Sequence, residues 1–365
     1  MRWSLKRGGL LLLLGAILAS AALMVGADRT ADQILQEIDA VKMPTLNRSK
    51  IRDQSYVKEY LNQRNEASQA RGKLILELYK AAPDHERIPG LMAERWDGMA
   101  PFGSQGEKLL KEIDDVLAHT ANSQLKIEGT FVKAQVQLIR SRQNPDLKPD
   151  LTAVDAFVKL APQDPRADQL IYLASKSVPD QASQVAYEDL LLKDYPDSRY
   201  VTMVKGVRHQ RAGLGKPFHL EFIDAISGST VSISALKGKV VVIDFWATWC
   251  GPCVAEMPRM KELYKKFHSK GVEFIGVSLD NPKEAGGLDK LKTFVKDKEI
   301  PWPQYYQGKG WESEFSSSWG IGSIPTMFVV DQDGKLVSVE AGDKLEELLP
   351  KLLATKSEKV SPGGG

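Results

Sequence analysis

Cysteine is nearly absent from this sequence of 365 residues, which has only Cys250 and Cys253. Two thiols can form at most one disulfide within the chain, so a fold held together by several disulfides is excluded, and so is a zinc site made of four cysteines. Only two residues separate them, so they form either a redox pair or half of a metal site. The five histidines are scattered without paired spacing, and we therefore expect no metal. The redox pair is therefore the favoured interpretation of the two cysteines.

An excess of charge of one sign is also missing. Lysine and arginine total 49 and aspartate and glutamate 47, for a net charge of +2. Arg2, Lys6 and Arg7 are the only charges in residues 1–27, so the remaining chain is close to neutral. It lacks the positive field that binds nucleic acid, and no nucleic-acid partner is expected. The length and the 42% apolar content predict about two globular domains.

Long apolar runs are missing except near the N-terminus, where residues 1–27 are typical of a signal peptide. Three basic residues precede 20 uncharged residues, 8–27. Small residues at positions 25–27 offer a cleavage site that would leave a mature chain beginning at Asp28. The alternative is an uncleaved membrane anchor over residues 8–27, which is just long enough to span a bilayer. Both alternatives place the rest of the chain outside the cytoplasm, in the periplasm or cell envelope.

Residues 28–212 predict an all-α domain. Apolar residues recur at helical spacing, as at Ile34 and Ile38, and no strand pattern interrupts them. Pro162 and Pro196 lie 34 residues apart, which is the period of tetratricopeptide repeats. The domain is therefore predicted to be a tetratricopeptide-like stack of helical hairpins or an ordinary helical bundle. Such a surface suits a partner protein or serves only as a spacer.

Residues 213–355 predict an α/β domain, because strand and helix patterns alternate. The β-branched and aromatic runs at 239–246 and 272–279 are typical of buried strands. A helix pattern follows Cys253 and ends at Gly271. Further strands are predicted at 327–330 and 336–340, an aromatic loop at 302–311, a closing helix at 345–353 and a disordered tail at 356–365. The cysteine pair thus lies between the first buried strand and a helix.

This position predicts different roles for the two thiols. Cys250 directly precedes the helix, and Pro252 suits the first helical turn. Free amides and the positive end of the helix dipole then favour the thiolate of Cys250, which makes it the attacking nucleophile. Cys253 lies in the first turn and faces back, so it can resolve a mixed disulfide. Because Cys253 begins protonated and buried, it needs a base.

The order of strand, Trp-Cys-Gly-Pro-Cys motif at 249–253 and helix, with Ile324 and Pro325 before a later strand, resembles the thioredoxin superfamily. More narrowly, it is similar to the exported TlpA/ResA/CcmG-like branch, whose members often carry a glutamate three residues after the second cysteine, as Glu256 does here. The resemblance covers about 140 residues and leaves the N-terminal helices outside. It implies a thioredoxin fold for residues 213–355 and a thiol-disulfide exchange activity.

The resemblance also implies two carboxylates beside the thiols. Asp244 matches the buried aspartate of thioredoxin, and Glu256 matches the glutamate of the ResA-like proteins. A carboxyl buried in an apolar strand has a raised pKa, which suits a proton shuttle near neutral pH. We expect both to serve Cys253 as catalytic groups. The structural alternatives are a solvated helix residue for Glu256 and a hydrogen-bonded carboxyl for Asp244.

A cis peptide bond is implied before Pro325. Such a bond turns the chain so that the backbone of Ile324 can pair with an extended substrate segment. The substrate-binding residues predicted in this way are Trp249, Gly251, Pro252, Ile324 and Pro325. Trp249 is also interpretable as core packing.

These features predict an exported thiol-disulfide oxidoreductase that reduces disulfides of client proteins. No nucleotide-binding glycine motif follows the strands, so no cofactor is expected, and an upstream thiol-disulfide donor has to resupply electrons. The membrane is a partner only if the N-terminal segment stays uncleaved. One alternative is a peroxiredoxin-like peroxidase, although its Pro-x-x-x-Thr motif is absent. Another is a partner-binding protein of helical repeats with a redox-sensing domain.

Overall fold

The computed structural model describes residues 29–144, 147 and 149–359. The predicted signal peptide or anchor, residues 1–27, lies outside the described residues, as does the end of the predicted tail, 360–365. By its contacts the chain divides into two compact units, a first unit that ends at Gln184 and a second unit that begins at Val185. In the ranges given above, no helix has both the length and the apolar character needed to cross a bilayer.

The first unit is helical throughout its described residues, as predicted. Its opening helix begins with a capping box, because the Thr30 side chain accepts from the Gln33 amide and the Gln33 side chain accepts from the Thr30 amide. Its core is formed by side chains such as Ile34, Ile38 and Trp96, which are almost fully buried. The helices are α1 Ala31–Ala40, α2 Gln54–Ala81, α3 Ile88–Asp97, α4 Gly103–His119, α5 Ser123–Gln143, α6 Thr152–Leu160 and α7 Ala167–Ser177.

The second unit is built on a mixed five-stranded sheet with the strand order β5-β4-β3-β6-β7. Strands β3, β4 and β5 are parallel, and β6 and β7 join by antiparallel pairing. The strands are β1 Glu221–Ile223, β2 Thr230–Ser232, β3 Val240–Trp246, β4 Val272–Ser278, β5 Gln304–Tyr306, β6 Thr326–Val330 and β7 Leu336–Ser338. The helices are α8 Gln181–Asp194, which contains the division point, α9 Tyr200–Gly213, α10 Gly251–Phe267, α11 Gly287–Asp297, α12 Glu314–Ser318 and α13 Leu345–Lys359.

The position of β3 in the sheet explains its composition. Every residue of β3 is buried, because the strand lies between β4 and β6. A strand covered on both faces has to be apolar in nearly every position, and β3 departs from this only at Asp244. Parallel strands β3 and β4 end at the same edge of the sheet. The segment that carries the cysteines therefore emerges next to the residues that follow β4.

Several predicted elements are confirmed and others are new. Strands at 240–246, 272–278 and 326–330 match the predicted ones within a few residues. The predicted aromatic loop contains strand β5, and the hairpin of β1 and β2 was not predicted at all. Helix α13 runs to Lys359, four residues into the segment predicted as a tail.

The predicted domain boundary at 212 stays a prediction, but contacts place α9 in the second unit. The His209 ring stacks on Trp319 with 4.0 Å between centroids, and His209 Nδ1 lies 3.0 Å from the Ser318 carbonyl oxygen. The Gln210 side chain donates to the Trp319 carbonyl. Gly206 is needed for this packing, because a Cβ there would lie 2.1 Å from the Gly320 nitrogen. Helix α9 thus holds the segment before Ile324 in place.

Candidate active site

The two cysteines form a disulfide at the start of α10. Cys250 is the N-cap residue, and its Sγ accepts a hydrogen bond from the Cys253 amide at 3.2 Å. This is the arrangement predicted from the sequence, because the amides of the first turn have no partners within the helix. Both side chains are buried in the disulfide form, with 5% of Cys250 and 2% of Cys253 exposed. Gly251 and Pro252, between them, are exposed.

The segment before β6 lies against the disulfide. The peptide bond between Ile324 and Pro325 is cis, which confirms the prediction. The carbonyl oxygen of Ile324 lies 3.8 Å from Cys250 Sγ. Ile324 is half-buried and Pro325 is exposed. The structure therefore brings together the cysteine pair and the two residues of this segment that were predicted to bind substrate.

Asp280 fixes the chain that leads to Cys250, and it is a site residue that was not predicted from the sequence. Its buried carboxylate accepts from the Thr248 amide at 3.1 Å and from the Ser278 hydroxyl at 2.8 Å, and the Thr248 hydroxyl donates to it as well. Thr248 and Asp280 each stand two residues beyond the ends of the parallel strands β3 and β4. Because the two strands pair in register, residues at the same distance beyond their ends lie close together. This equal spacing is the signal from which Asp280 could have been predicted.

Asp244 is a buried acid without a complete set of partners. It is 3% exposed, and among the described residues no group hydrogen-bonds its Oδ1. Burial, with a smaller contribution from the nearby charge of Glu256, raises the pKa of Asp244 to about 7. The alternative of a hydrogen-bonded structural carboxyl is not supported for Oδ1. Asp244 is able to exchange a proton near neutral pH.

Glu256 is neither buried nor free in solvent. Its side chain is 31% exposed and forms an ion pair with Arg259, one turn further along α10. Arg259 also makes a two-pronged pair with Glu346 at 2.7 and 2.6 Å and donates to the Gly342 carbonyl at 2.8 Å. The pair with Arg259 lowers the pKa of Glu346. Neither Arg259 nor Glu346 was predicted from the sequence. The ion pair of Glu256 with Arg259 does have a local signal, because the two residues are three positions apart in a helix.

Exposed aromatic surface borders the disulfide. Trp249 is 49% exposed and contacts Trp311 with 6.1 Å between ring centroids, whereas Trp246 is fully buried and donates to Gln304. Trp246 is therefore a core residue, whereas Trp249 is only partly packed and exposes about half of its surface. The backbone at Ile324 and the exposed residues Gly251 and Pro252 also lie next to Cys250.

The comparisons with known proteins match the C-terminal part of the chain. Residues 215–354 match the family described as Redoxin, which leaves the helices before residue 215 outside the match. A thioredoxin-like protein from Bacteroides vulgatus, solved in solution, is 29% identical and covers 39% of this chain and 89% of its own, with a TM-score of 0.34.

Two relatives named thiol-disulfide oxidoreductase ResA are similar to about two fifths of the chain. A protein from Bacillus cereus is 34% identical over 153 residues, which are 42% of this chain and 82% of that relative. A protein from Oceanobacillus iheyensis is 35% identical over 145 residues, 38% of this chain and 71% of that relative. With its disulfide between Cys250 and Cys253, the chain belongs to the ResA-like thiol-disulfide oxidoreductases through its C-terminal redoxin domain.

Proposed function

We propose that this oxidoreductase is exported and that it reduces disulfides of client proteins. The observation that carries the proposal is the position of Cys250. Its Sγ caps a helix, and it lies 3.8 Å from the carbonyl of a residue that precedes a cis-proline. A sulfur at a helix N-terminus is stabilised as a thiolate, and a thiolate is the species that attacks disulfides. The leader-like residues 1–27 support export.

The first step uses the reduced enzyme. The Cys250 thiolate attacks one sulfur of the client disulfide, a bond forms between Cys250 and the client, and the client S–S bond breaks. The other client sulfur leaves as a thiolate and takes a proton from solvent. The amide of Cys253, which donates to Cys250 Sγ in the disulfide form, is placed to stabilise the attacking thiolate as well.

The second step releases the client. Cys253 loses its proton and attacks Cys250 Sγ, the enzyme disulfide forms, and the second client sulfur leaves as a thiolate. Two electrons have then passed from the enzyme to the client. Because the pKa of Asp244 is raised to about 7, this carboxyl is partly ionised at neutral pH and can receive the Cys253 proton, with Glu256 as the second carboxylate.

Substrate binding uses the surface around Cys250. An extended client segment is expected to pair with the backbone of Ile324, next to Pro325, and to contact Gly251 and Pro252. The exposed ring of Trp249 offers apolar contact area. The enzyme disulfide is then reduced by an upstream dithiol donor through the same two steps in reverse order, and no bound cofactor takes part.

The test is to trap the intermediate with Cys253→Ser. This variant keeps the attacking thiol and removes the resolving one, so a mixed disulfide between Cys250 and the client should accumulate in the periplasmic fraction. Non-reducing electrophoresis and mass spectrometry would identify it, and dithiothreitol should dissolve it. The matched control is Cys250→Ser, which keeps one thiol of the same motif and should trap at least tenfold less. Equal trapping by the two variants would contradict the assignment, and rapid consumption of hydrogen peroxide by the wild type would favour the peroxidase instead.

A further inference from the structure

Arg259 is held by the C-terminal segment, independently of Glu256. Its Nε and Nη2 atoms donate to the two carboxylate oxygens of Glu346 at 2.7 and 2.6 Å. Nη2 also donates to the Gly342 carbonyl at 2.8 Å. A guanidinium fixed in this two-pronged geometry has a defined orientation, which a lysine ammonium would not have. The remaining nitrogen, Nη1, is directed at Glu256.

The segment that holds Arg259 is itself attached to the sheet next to the disulfide. The amide of the fully buried Ala341 donates to the Met327 carbonyl at 3.0 Å. Met327 lies opposite Asp244 in the register of β3 and β6, two residues after Pro325. Arg259 is therefore placed relative to the same pair of strands that carries Asp244 and the substrate-binding proline.

The place of Glu256 matters because its charge reaches Asp244. After burial, the charge of Glu256 is the second cause of the raised pKa of Asp244. Four charged groups interact in a chain here: Asp244 from β3 with Glu256 from α10, Glu256 with Arg259 from the same helix, and Arg259 with Glu346 from α13. Lys266 acts in addition on Glu346. A carboxylate of Glu256 free to rotate would change its distance from Asp244 and from the thiols.

We propose that Arg259 is a positioning residue of the redox site: its guanidinium, anchored on Glu346 and Gly342, holds the Glu256 carboxylate about one turn of α10 beyond Cys253 and offsets part of its charge. The proposal rests on the proposed role of the two carboxylates in moving the Cys253 proton. Arg259 touches neither substrate nor sulfur in this scheme. It acts through Glu256.

The experiment is a double-variant cycle in the full-length protein. Arg259→Met, Glu256→Gln and the combination of both are compared with the wild type by the pH dependence of client reduction and by the reduction potential of the cysteine pair. Arg259→Met is expected to lower the rate at pH 7 about tenfold and to move the pH midpoint about one unit to the alkaline side, because one positive charge near the carboxylates is lost. In the Glu256→Gln background the same change should alter the rate less than twofold.

The control is Lys351→Met, which breaks an exposed pair with Glu347 on the same C-terminal helix and should leave rate and midpoint unchanged. An equal shift by Arg259→Met in both backgrounds, or a loss of stability with no shift, would overturn the positioning role. Should Arg259→Met fail to fold, Glu346→Gln loosens the same anchor with a smaller expected shift. If Glu256→Gln alone changes nothing, the proposed role of Glu256 has failed, and that result is distinct from a failure of Arg259.

Discussion

Partly buried arginines of the first unit form ion pairs with acids, whereas Asp244 in the second unit is a buried acid that forms none among the described residues. Arg95 forms two hydrogen bonds with Glu112, at 2.7 and 2.6 Å, and Arg71 pairs with Glu94. The second unit contains pairs of the same kind, since the buried Glu188 accepts from Arg208 and Arg211. Asp244 is as deeply buried as Glu188, but in the part of the chain that the structure describes no arginine pairs with it and its Oδ1 accepts no hydrogen bond.

The difference separates acids held by ion pairs from the acid for which a catalytic role is proposed. A buried carboxylate paired with arginine stays ionised and cannot exchange a proton near pH 7 without breaking its pair. A buried carboxyl that lacks both an ion pair and a full set of hydrogen bonds lowers the stability of the fold, and its pKa is raised. Glu188 therefore stabilises the packing of α8 on α9, whereas Asp244 has the raised pKa that its proposed role as a proton acceptor requires.

The largest expected effect is that of Asp244→Asn on the pH dependence of stability. The folded pKa of about 7 lies above the ordinary value of 3.8, so the folded state binds more protons than the unfolded state between these values. The free energy of unfolding should therefore fall as pH rises from about 4 to about 7, by on the order of 4 kcal/mol. Asparagine should abolish this fall and also slow the resolving step. Hydrogen exchange of the β3 amides at several pH values measures the free energy of unfolding as a function of pH.

The matched control is Asp224→Asn, at another buried aspartate of the second unit. Burial alone would raise the pKa of Asp224, but hydrogen bonds from the Gln304 amide and from Ser227 lower it below 3.8. Its contribution to stability is thus complete above pH 4 and is lost only in stronger acid. Asparagine here should lower stability evenly between pH 4 and pH 8. A wild-type protein equally stable at pH 5 and pH 8 would show that Asp244 is ionised throughout and would remove the contrast with Glu188.

Local sequence was sufficient for the elements that carry the thiols. The buried strand before Cys250 and the helix start at Gly251 depend on residue types within a few positions of each other, whereas the cis bond before Pro325 was expected only from the resemblance. Asp280 and Glu346 were not predicted, because they reach the site from 30 and 96 residues beyond Cys250 through strand pairing and a helix terminus. Such contacts have no periodic signal in a single sequence.

The helical region shows the opposite limitation. Apolar spacing predicted the helices of the first unit, but the tetratricopeptide-like arrangement stays a prediction. The spacing of prolines gave no indication that α9 belongs to the second unit. Its contact with the segment at Gly320 depends on the absence of a side chain at Gly206. From the sequence alone, a glycine in a helix only indicates a less stable helical position. The reason for Gly206 is visible only in the fold, where the Gly320 backbone lies against it.

The second prediction, a smaller effect, concerns that contact. In Gly206→Ala the new Cβ would lie 2.1 Å from the Gly320 nitrogen, and backbone atoms cannot move aside as a flexible side chain does. We expect the second unit to lose about 3 kcal/mol of stability. Client reduction should also slow, because the displaced segment leads to Ile324. Thermal unfolding and the reduction rate measure the two effects, and an unchanged melting temperature would mean that α9 is not a fixed part of the second unit.

The smallest effect is expected for the same substitution in the first unit. Gly90 is an exposed residue of α3, and a Cβ there would meet nothing within 4 Å. Alanine loses less backbone freedom on folding than glycine does, so Gly90→Ala should stabilise α3 by about 0.5–1 kcal/mol and leave the redox rate unchanged. Hydrogen exchange in Ile88–Asp97 would detect the gain. Opposite signs for Gly90→Ala and Gly206→Ala would show that the first glycine is a weak helix position and the second a contact on which the redox unit depends, whereas a loss at both sites would mean that the two helices are equally constrained.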